Sequence, residues 1–398
     1  MKMVGIGLCY FLNNADMSKN FNKLDFLNNC HDKKPIVIKN YFDVSRLSWN
    51  KINEIIERSN IYANDFKIAY HGIVEKHHYL ETFDEVGLVR HRLIRPAVYN
   101  LLKNGATLIV NKIVNEPDID LFARQVAQLT GRQTVTSLYV AFGDKDSYKA
   151  HWDTRDVFAI QVKGRKRWVI YEPTFPNPMY MQQSKYFEDT YPCPDIPYMD
   201  VILEEGDVLY VPCGWWHNPS PLGEETVHLA IGTFPAFGLD YAEWLFKKLP
   251  DLHEIRKPMS NWENDCDNLK IIAKYIGDLI INQSTYNEFM QEFIGKKRVE
   301  SNLALELLGD SKVNKLPMTT KLRLNSDQFY DKNSKHIIAN GVKLSLDNDF
   351  KDVILYISNF STVSVLDIIN KFKDIEQEKL TETLYNLCLN DILEVIDY

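Results

Sequence analysis

The chain has 398 residues, more than one small hydrophobic core organises, so we expect a main domain with smaller ones beside it. Hydrophobic residues make up 45% and charged residues 25% of the sequence, the balance of an ordinary globular protein, and no apolar run is long enough to span a membrane. The formal net charge of −8 makes a nucleic-acid partner unexpected, whereas an acidic enzyme acting on a basic protein or peptide would fit.

The first 150 residues alternate short strands and helices. KKPIVIKNYF is typical of a strand that runs into a loop, and GATLIVNKIV predicts a second strand. PDIDLFARQVAQLTG predicts a helix with Asp118 or Asp120 near its start and Gly131 as its C-terminal stop. The β-branched and aromatic run TVTSLYVAFG predicts a further strand, ending at the turn GDKDS.

Residues 151–236 have the pattern of an all-β region. Short runs separated by Pro, Gly and Asp predict its strands: VFAIQV, RWVIYEP, DVILEEGDVLYVP and TVHLAIGTF. Regularly spaced short strands indicate a sandwich or barrel, of which the double-sheet jelly roll, or cupin, is one form.

After Pro235 the pattern becomes helical. Apolar residues recur at helical spacing in GLDYAEWLFKKL, CDNLKIIAKYIGDLIINQ and STYNEFMQEFIGKKRVESNLALELLG. From about residue 318 the chain mixes strand-like and helical runs, which predicts a winged-helix domain: TTKLRLN, KHIIANGVKLSL, DVILYISNF, VSVLDIINKF and EKLTETLYNLCLNDILEVID. We therefore expect an α+β protein with a jelly-roll domain at 1–236, a helical domain at 237–315 and a winged-helix-like domain at 316–398.

The segment KAHWDTRDVFAIQVKGRKRWVIYEP carries a candidate metal site. His151 and Asp153 are two residues apart, and on a strand such residues point to the same side. EEGDVLYVPCGWWHNP supplies a third candidate, His217, just past a strand ending at Pro212. An isolated H-x-D occurs often by chance, so the prediction depends on its conjunction with this second motif. Two histidines and one carboxylate on one face of a metal leave open positions opposite, as non-haem iron(II) oxygenases need.

Lys166 lies in RKRWVIY, where strand alternation puts it on one face with Trp168 and Ile170. A lysine on an apolar face needs a counter-charge, and a dicarboxylic acid inside the barrel would supply one. The alternative is a turn offset that sends Lys166 to solvent, and we favour the buried position.

HWDTRDVFAIQVKGRKRW together with DVLYVPCGWWH resembles the Jumonji-C (JmjC) hydroxylases of the cupin superfamily, over roughly residues 134 to 236. The resemblance implies that His151, Asp153 and His217 bind iron(II) and form the catalytic centre. It also implies that Lys166 grips the distal carboxylate of 2-oxoglutarate. In that family 2-oxoglutarate and O2 are consumed, succinate is formed and an unactivated C–H bond is oxidised. The C-terminal segments are similar to those of ribosomal oxygenases, whose helices dimerise, so a homodimer is expected.

Three further residues are candidates for contact with 2-oxoglutarate. His228, in TVHLAIGTF, shares a strand face with Ala230 and Gly232, which would leave room for a ligand; a core histidine bonded to backbone is the equal alternative. Ser137 and Tyr139 lie on the strand before the site and are candidate donors to a 2-oxoglutarate carboxylate, because related enzymes often carry donors there.

The six cysteines are scattered, with no CxxC pair: Cys9, Cys30, Cys193, Cys213, Cys266 and Cys388. This spacing predicts thiols in a reducing cytoplasm rather than a disulfide framework or a zinc site.

The leading functional hypothesis is a protein or peptide hydroxylase acting on a ribosomal protein or another polypeptide. A lysine demethylase and a tailoring enzyme for a ribosomally made peptide are alternatives within the same chemistry. From a different class, the chain could be a metal-binding cupin with a DNA-binding winged helix. The complete ligand set, Lys166 and the net charge of −8 argue against that last reading.

Overall fold

A computed structural model of the chain describes residues 21–144, 149–295, 299, 301–309, 315–326, 336–345 and 347–397. The chain divides into two compact units, Asn13–Phe234 and a second that contains Pro235–Tyr398. Among the helices in those ranges, none combines the length and the apolar character needed to cross a bilayer. The predicted turn GDKDS lies mostly outside the described residues.

The described part of the first unit contains four α-helices: α1 (Lys23–Asn29), α2 (Trp49–Arg58), α3 (Arg95–Lys103) and α4 (Pro117–Thr130). Its described strands are β1 (Ile36–Ile38), β2 (Phe66–Ala69), β3 (Leu80–Glu85), β4 (Leu88–Leu93), β5 (Thr107–Val110), β6 (Gln133–Ala141), β7 (His151–Trp152), β8 (Asp156–Lys163), β9 (Lys166–Tyr171), β10 (Met199–Leu203), β11 (Val208–Val211), β12 (Trp216–Pro221) and β13 (Thr226–Phe234). Short 3₁₀ turns span Lys76–His78 and Ser184–Tyr186. The helix predicted before Gly131 is confirmed as α4, because Gly131 ends it in the left-handed conformation that glycine adopts readily.

Two antiparallel sheets form the body of this unit. One has the strand order β1-β11-β8-β13-β6-β5-β2, and the other has the order β10-β9-β12-β7. Several pairs of consecutive strands lie in different sheets, such as β8 and β9 or β10 and β11, which is the connectivity of a double-sheet jelly roll. The strands β3 and β4 form a separate two-stranded hairpin.

The larger sheet is buried on both faces, which explains why β8 is apolar along almost its whole length. Phe158 and Ile160 belong to a core that also contains buried residues of the helices, such as Ile52 and Phe122. Ala159 faces the other way, into a smaller core with Trp168 and Leu209 between the two sheets. Alternation along each strand therefore separates an outer, helix-covered face from the barrel interior.

One run predicted as a strand is two strands in different sheets. DVILEEGDVLYVP contains β10 in the four-stranded sheet and β11 in the seven-stranded sheet. Between them the carboxylate of Asp207 accepts backbone N–H groups from Asn40 and Glu204, and Gly206 has a positive φ of 87°. The four residues EEGD, at 204–207, separate the two apolar runs and mark this corner in the sequence, a signal that the prediction of one continuous strand did not use.

The second unit contains the helices α5 (Gly238–Phe246), α6 (Trp262–Ile280), α7 (Gln283–Gly295), α8 (Asn348–Ile357), α9 (Val365–Lys371) and α10 (Gln377–Leu389). Its described strands are β14 (Lys321–Leu324), β15 (Ile337–Ala339), β16 (Val342–Leu344), β17 (Val363–Ser364) and β18 (Leu393–Asp397). Short 3₁₀ turns span Leu249–Asp251, His253–Arg256 and Leu305–Leu308. The single helix predicted through ELLG is wrong for its last described part, because residues 301–304 have no helical structure and Leu305–Leu308 form a 3₁₀ turn.

Two hydrophobic clusters lie within this second unit. Tyr241, Leu245 and Phe289 pack between α5 and α7, while α8, α9 and α10 surround a separate core with the sheet β17-β14-β18. Helices around a small antiparallel sheet are the elements of a winged helix, and that assignment, like the division into three domains, stays a prediction.

Gly164 in the β8–β9 turn should be far more sensitive to substitution than Gly87 in the β3–β4 turn. Both have positive φ, but a Cβ at Gly164 would lie 1.9 Å from the carbonyl oxygen of Glu225, whereas one at Gly87 meets nothing within 4 Å. We expect Gly164→Ala to lower the free energy of unfolding by about 3 kcal/mol or more and Gly87→Ala by about 1 kcal/mol. Equal losses in urea denaturation would contradict the close approach at Gly164.

Candidate metal and co-substrate site

His151 and His217 are direct cross-strand neighbours. In the four-stranded sheet β12 pairs with β7 so that His217 lies opposite His151 and Trp216 lies opposite Trp152. Directly opposite residues of an antiparallel pair project to the same face, and the two imidazole centroids are 4.3 Å apart. His217 is the second residue of a strand, not a loop residue after one as the sequence suggested.

Each imidazole is oriented by a backbone carbonyl two residues earlier. The Nδ1 of His151 lies 2.9 Å from the oxygen of Lys149, and the Nδ1 of His217 lies 3.2 Å from that of Trp215. A carbonyl oxygen only accepts hydrogen bonds, so Nδ1 of each ring carries the proton and the lone pair is on Nε2. This is the tautomer that a metal-binding histidine with an oriented ring requires.

Asp153 completes a group with one ligand atom from each residue. Its carboxylate oxygen lies 3.7 Å from Nε2 of His217, and the ligand atoms of His151, Asp153 and His217 all lie within 4.8 Å of one another. This spacing suits a single ion at their centre, and two imidazoles with one carboxylate fit iron(II) with positions open for other ligands. The three residues predicted from the sequence are therefore brought together.

The electrostatics favour the protonation states that a metal needs. Burial and, to a smaller extent, His151 lower the pKa of His217 to about 4, although Asp153 opposes the change. Burial alone would raise the pKa of Asp153, but His217, Arg155 and His151 outweigh it, so this pKa lies below its ordinary value. At neutral pH, His217 is neutral and Asp153 is ionised, and neither has to release a proton to bind a cation.

A tight turn before β12 places His217, and sequence reasoning missed the residues that hold it. The buried carboxylate of Asp156 accepts the backbone N–H of Cys213 at 2.9 Å, and Gly214 donates its N–H to the carbonyl of Asp153 at 3.0 Å. Gly214 has φ of 82°, and a Cβ there would lie 2.8 Å from Pro178, so a side chain is excluded. The glycine after Pro-Cys was the available sequence signal, because turn glycines often mark positive φ.

Lys166 is buried in the barrel interior, which confirms the predicted face. It is 5% exposed, it alternates with buried Trp168 and Ile170, and Arg167 between them is exposed and paired with Asp200. Its charge also contributes to a lowered pKa at His228. A cation in this position suits a buried carboxylate of a small co-substrate.

The predicted residues on the opposite sheet face the same interior. Tyr139 lies opposite His228 and Ser137 lies opposite Ala230 in the pairing of β6 with β13. The rings of Tyr139 and His228 stack at 4.7 Å, and the Trp168 ring meets His228 edge-on at 5.4 Å. All the predicted co-substrate residues are thus on the barrel lining.

Two buried polar atoms on this lining lack a protein partner. They are Nδ1 of His228 and Nε1 of Trp168, both within the described residues. Burial, followed by the charges of Lys166 and His217, holds the pKa of His228 well below its ordinary value, so its ring is neutral. Buried polar groups without partners are rare, and a bound polar ligand in the barrel would satisfy them. This observation fits a small dicarboxylate beside the metal group.

Two other clusters of metal-ligating residue types are less suited to an ion. Glu75, His77 and His78 are exposed on the surface. In the cluster of His31, Asp32 and Asp156, Arg132 already bonds both carboxylates and the hydroxyl of Tyr210 donates to Asp156. Those bonds occupy both carboxylates of that cluster, which holds the chain after α1 against the barrel.

Residues 108–240 match the family model described as JmjC domain. The protein named bifunctional lysine-specific demethylase and histidyl-hydroxylase NO66 from Aedes aegypti is 25% identical over 219 residues, which cover 53% of this chain and 33% of that protein. The protein of the same name from Drosophila melanogaster is 28% identical over 201 residues, which cover 49% of this chain and 29% of that protein. The chain thus spans about a third of the length of these relatives.

The ribosomal oxygenase YcfD from Escherichia coli has a similar fold. Its structure in complex with cobalt and 2-oxoglutarate matches with a TM-score of 0.59 and 17% identity, covering 95% of this chain and 99% of that chain. Its structure in complex with cobalt and succinic acid gives a TM-score of 0.60 and 18% identity, with the same coverage. The predicted jelly-roll fold and the resemblance to JmjC proteins are confirmed.

Loss of one ligand should abolish binding of a single divalent ion. We expect His217→Ala to weaken Co²⁺ binding by more than about 100-fold, because an open site with two remaining ligands holds the ion poorly. Anaerobic titration calorimetry and the cobalt absorption spectrum measure this, with His253→Ala in the second unit as the histidine-loss control. Retained stoichiometric binding by His217→Ala would exclude the group as the metal site.

Proposed function

We propose, from the match of residues 108–240 to the JmjC domain model, that the chain is an iron(II)- and 2-oxoglutarate-dependent oxygenase that hydroxylates a side chain of a protein or peptide. One observation carries the proposal: a two-histidine, one-carboxylate group and a buried lysine share the lining of one barrel. The overall reaction consumes a C–H bond, O2 and 2-oxoglutarate and yields the alcohol, succinate and CO2, which balances atoms and electrons.

In this proposal each residue has a role that follows from its position. His151, Asp153 and His217 hold iron(II), which supplies the activation of O2 when it is bound. Lys166 pairs with the distal carboxylate of 2-oxoglutarate, and His228, Ser137 and Tyr139 contact the co-substrate from the opposite sheet. The apolar residues between the sheets, among them Trp168 and Leu209, exclude water around it.

A polypeptide substrate is supported by the names of the similar proteins. NO66 is named as a lysine-specific demethylase and histidyl-hydroxylase, and YcfD is described as a ribosomal oxygenase. Demethylation remains a second candidate because the NO66 name carries both activities. Product analysis separates the two: hydroxylation adds the mass of one oxygen atom to the peptide, whereas demethylation releases formaldehyde.

Spectroscopy and turnover of the wild-type protein test the oxygenase proposal directly. Anaerobic protein with iron(II) and 2-oxoglutarate should show a weak visible charge-transfer absorption, and admission of air should form succinate without added peptide. Asp153→Ala serves as the ligand-deficient control. Wild-type protein that behaves like this control in both measurements would overturn the proposal. Mass spectrometry of proteins from a deletion strain would then search for the peptide that lacks an oxygen.

Lys166→Ala should raise the 2-oxoglutarate requirement while leaving iron binding intact. Loss of a charge-assisted contact to a buried carboxylate predicts an increase of about 30-fold or more in the KM for 2-oxoglutarate. Arg167→Ala is the matched control, because Arg167 is the next residue of β9 and faces outward toward Asp200. Equal KM values for the two variants would remove Lys166 from the co-substrate site.

We also propose that the chain forms a homodimer through residues 237–315 and that residues 316–398 form a winged-helix-like domain. α6 supports the first part, because none of its residues is buried and it exposes large apolar side chains, including Ile271 at 51% and Tyr275 at 36%. These two residues are one helical turn apart and share a face. An exposed apolar face of this kind favours association with a second copy.

A charge placed on that face should dissociate the dimer. We expect wild-type protein to have the solution mass of two chains, and Ile271→Glu to shift it to one chain because a buried carboxylate is costly. Ala273→Glu adds the same charge on the opposite side of α6 and should remain dimeric. Light scattering that finds a single chain for the wild type would refute the dimer.

A further inference from the structure

Arg155 is close in sequence to the metal group and has so far been given no ligand-binding role. It follows Asp153 by two residues and immediately precedes β8. It is partly buried, which makes its charge more costly to leave without a partner.

Gly232 opens the path that the Arg155 side chain takes. On β13 the residues His228, Ala230, Gly232 and Phe234 alternate along the face that lines the barrel. A Cβ on Gly232 would lie 2.6 Å from Nε and 2.8 Å from Cδ of Arg155, so any side chain there would displace it. The guanidinium then lies 5.4 Å from the centre of the Phe234 ring, at the end of this row. Arg155 is therefore held across the inner face of β13.

The neighbouring carboxylates are committed elsewhere. Asp153 belongs to the metal group, and Asp156 accepts from Arg132, from the hydroxyl of Tyr210 and from the backbone of Cys213. Within the described ranges Arg155 forms neither an ion pair nor a hydrogen bond, and its guanidinium lies over the Phe234 ring. An arginine on an aromatic ring keeps its N–H edge available for a planar anion.

The charges of the occupied site also leave Arg155 unmatched, if the proposed function holds. Iron(II) and Lys166 together balance the Asp153 carboxylate and a dianionic 2-oxoglutarate. The charge of Arg155, two residues from Asp153 and partly exposed, is then surplus. A carboxylate of the substrate would neutralise it in a partly desolvated setting, where charge-assisted hydrogen bonds are strong.

We propose that Arg155 is a specificity-determining residue that binds an acidic side chain, Asp or Glu, of the polypeptide substrate at or near the residue to be oxidised. The inference rests on the proposed function for the identity of the reaction. The recognition step itself is a binding property of the chain and can be measured without turnover.

A synthetic peptide library of randomised sequence tests this assignment in two ways. In the binding assay, the full chain is mixed with the library, Mn²⁺ and 2-oxoglutarate under anaerobic conditions. Peptides that bind the protein are retained with it on a membrane filter and are identified by mass spectrometry. In the turnover assay, iron(II) replaces Mn²⁺ and air is admitted, and the oxidised peptides and succinate are measured. We expect wild-type protein to enrich peptides with Asp or Glu, at a constant distance from the oxidised residue in the turnover assay.

Charge reversal at Arg155 should reverse this preference. Arg155→Glu is expected to retain acidic peptides about tenfold less than the wild type and to favour Lys or Arg instead, while Arg155→Lys keeps the acidic preference at reduced strength. Arg46→Glu is the matched control, because it makes the same change in net charge at an exposed position away from Arg155. Arg46 follows Tyr41 and Phe42, whose backbone N–H groups bond Gly206 near the far end of β8.

The outcomes separate failure of this inference from failure of the proposed function. Normal succinate formation and iron absorption, with acidic and basic peptides retained equally or not at all, would overturn the role of Arg155 alone. The same peptide preference in Arg155→Glu and Arg46→Glu would do so too. If Arg155→Glu instead changes the 2-oxoglutarate requirement and leaves the peptide preference unaltered, Arg155 acts on the co-substrate and the inference is wrong. Absence of succinate in the wild type would overturn the proposed function, and the binding assay would still decide the role of Arg155.

Discussion

The cross-strand pairing of His151 with His217 is the constraint on which the site depends. β7 has only two residues, so the position of His217 is fixed mainly by the other side of β12, where six residues pair with β9 from Tyr171 to Lys166. The same ladder that puts His217 on the inner face puts Lys166 there as well. A slip of one residue would turn His217 outward and bring Trp216 inward, so one register sets both the metal group and the candidate co-substrate lysine.

A second constraint is the buried carboxylate of Asp156, at the start of β8. It receives hydrogen bonds from Arg132, from the hydroxyl of Tyr210 and from the backbone of Cys213. The first two tie it to the outer core near α1, and the third holds the turn that leads into His217. A buried charge with this many donors is well satisfied, and removal of one partner would leave the others uncompensated. The outer packing of the barrel is in this way connected to the placement of a metal ligand.

Much of the site could be predicted because strand alternation is local. KRWVIY alone shows that Lys166 shares a face with Trp168, and the H-x-D spacing alone puts His151 beside Asp153. The pairing of His217 with His151 could not be predicted in the same way. It joins strands that lie far apart in sequence, and the periodicity of a single segment does not show such contacts. The contact between Arg155 and Gly232 is of this kind, since neither residue has a local signature.

The inner surface of the barrel is divided between an apolar side and a polar side, and this division has a chemical consequence. Ala159, Leu209, Val211 and Trp215 pack against Trp168 and Ile170, so water has little access to that side. Lys166, His228 and Tyr139 border the remaining space, where two buried polar atoms have no protein partner. Electrostatic interactions are stronger where water is excluded, so a lysine there discriminates well between a carboxylate and a neutral group. Arg155 is more exposed than Lys166, so its charge suits a partner that arrives and leaves with each substrate. Burial thus separates a position suited to a co-substrate from one suited to an exchangeable polypeptide.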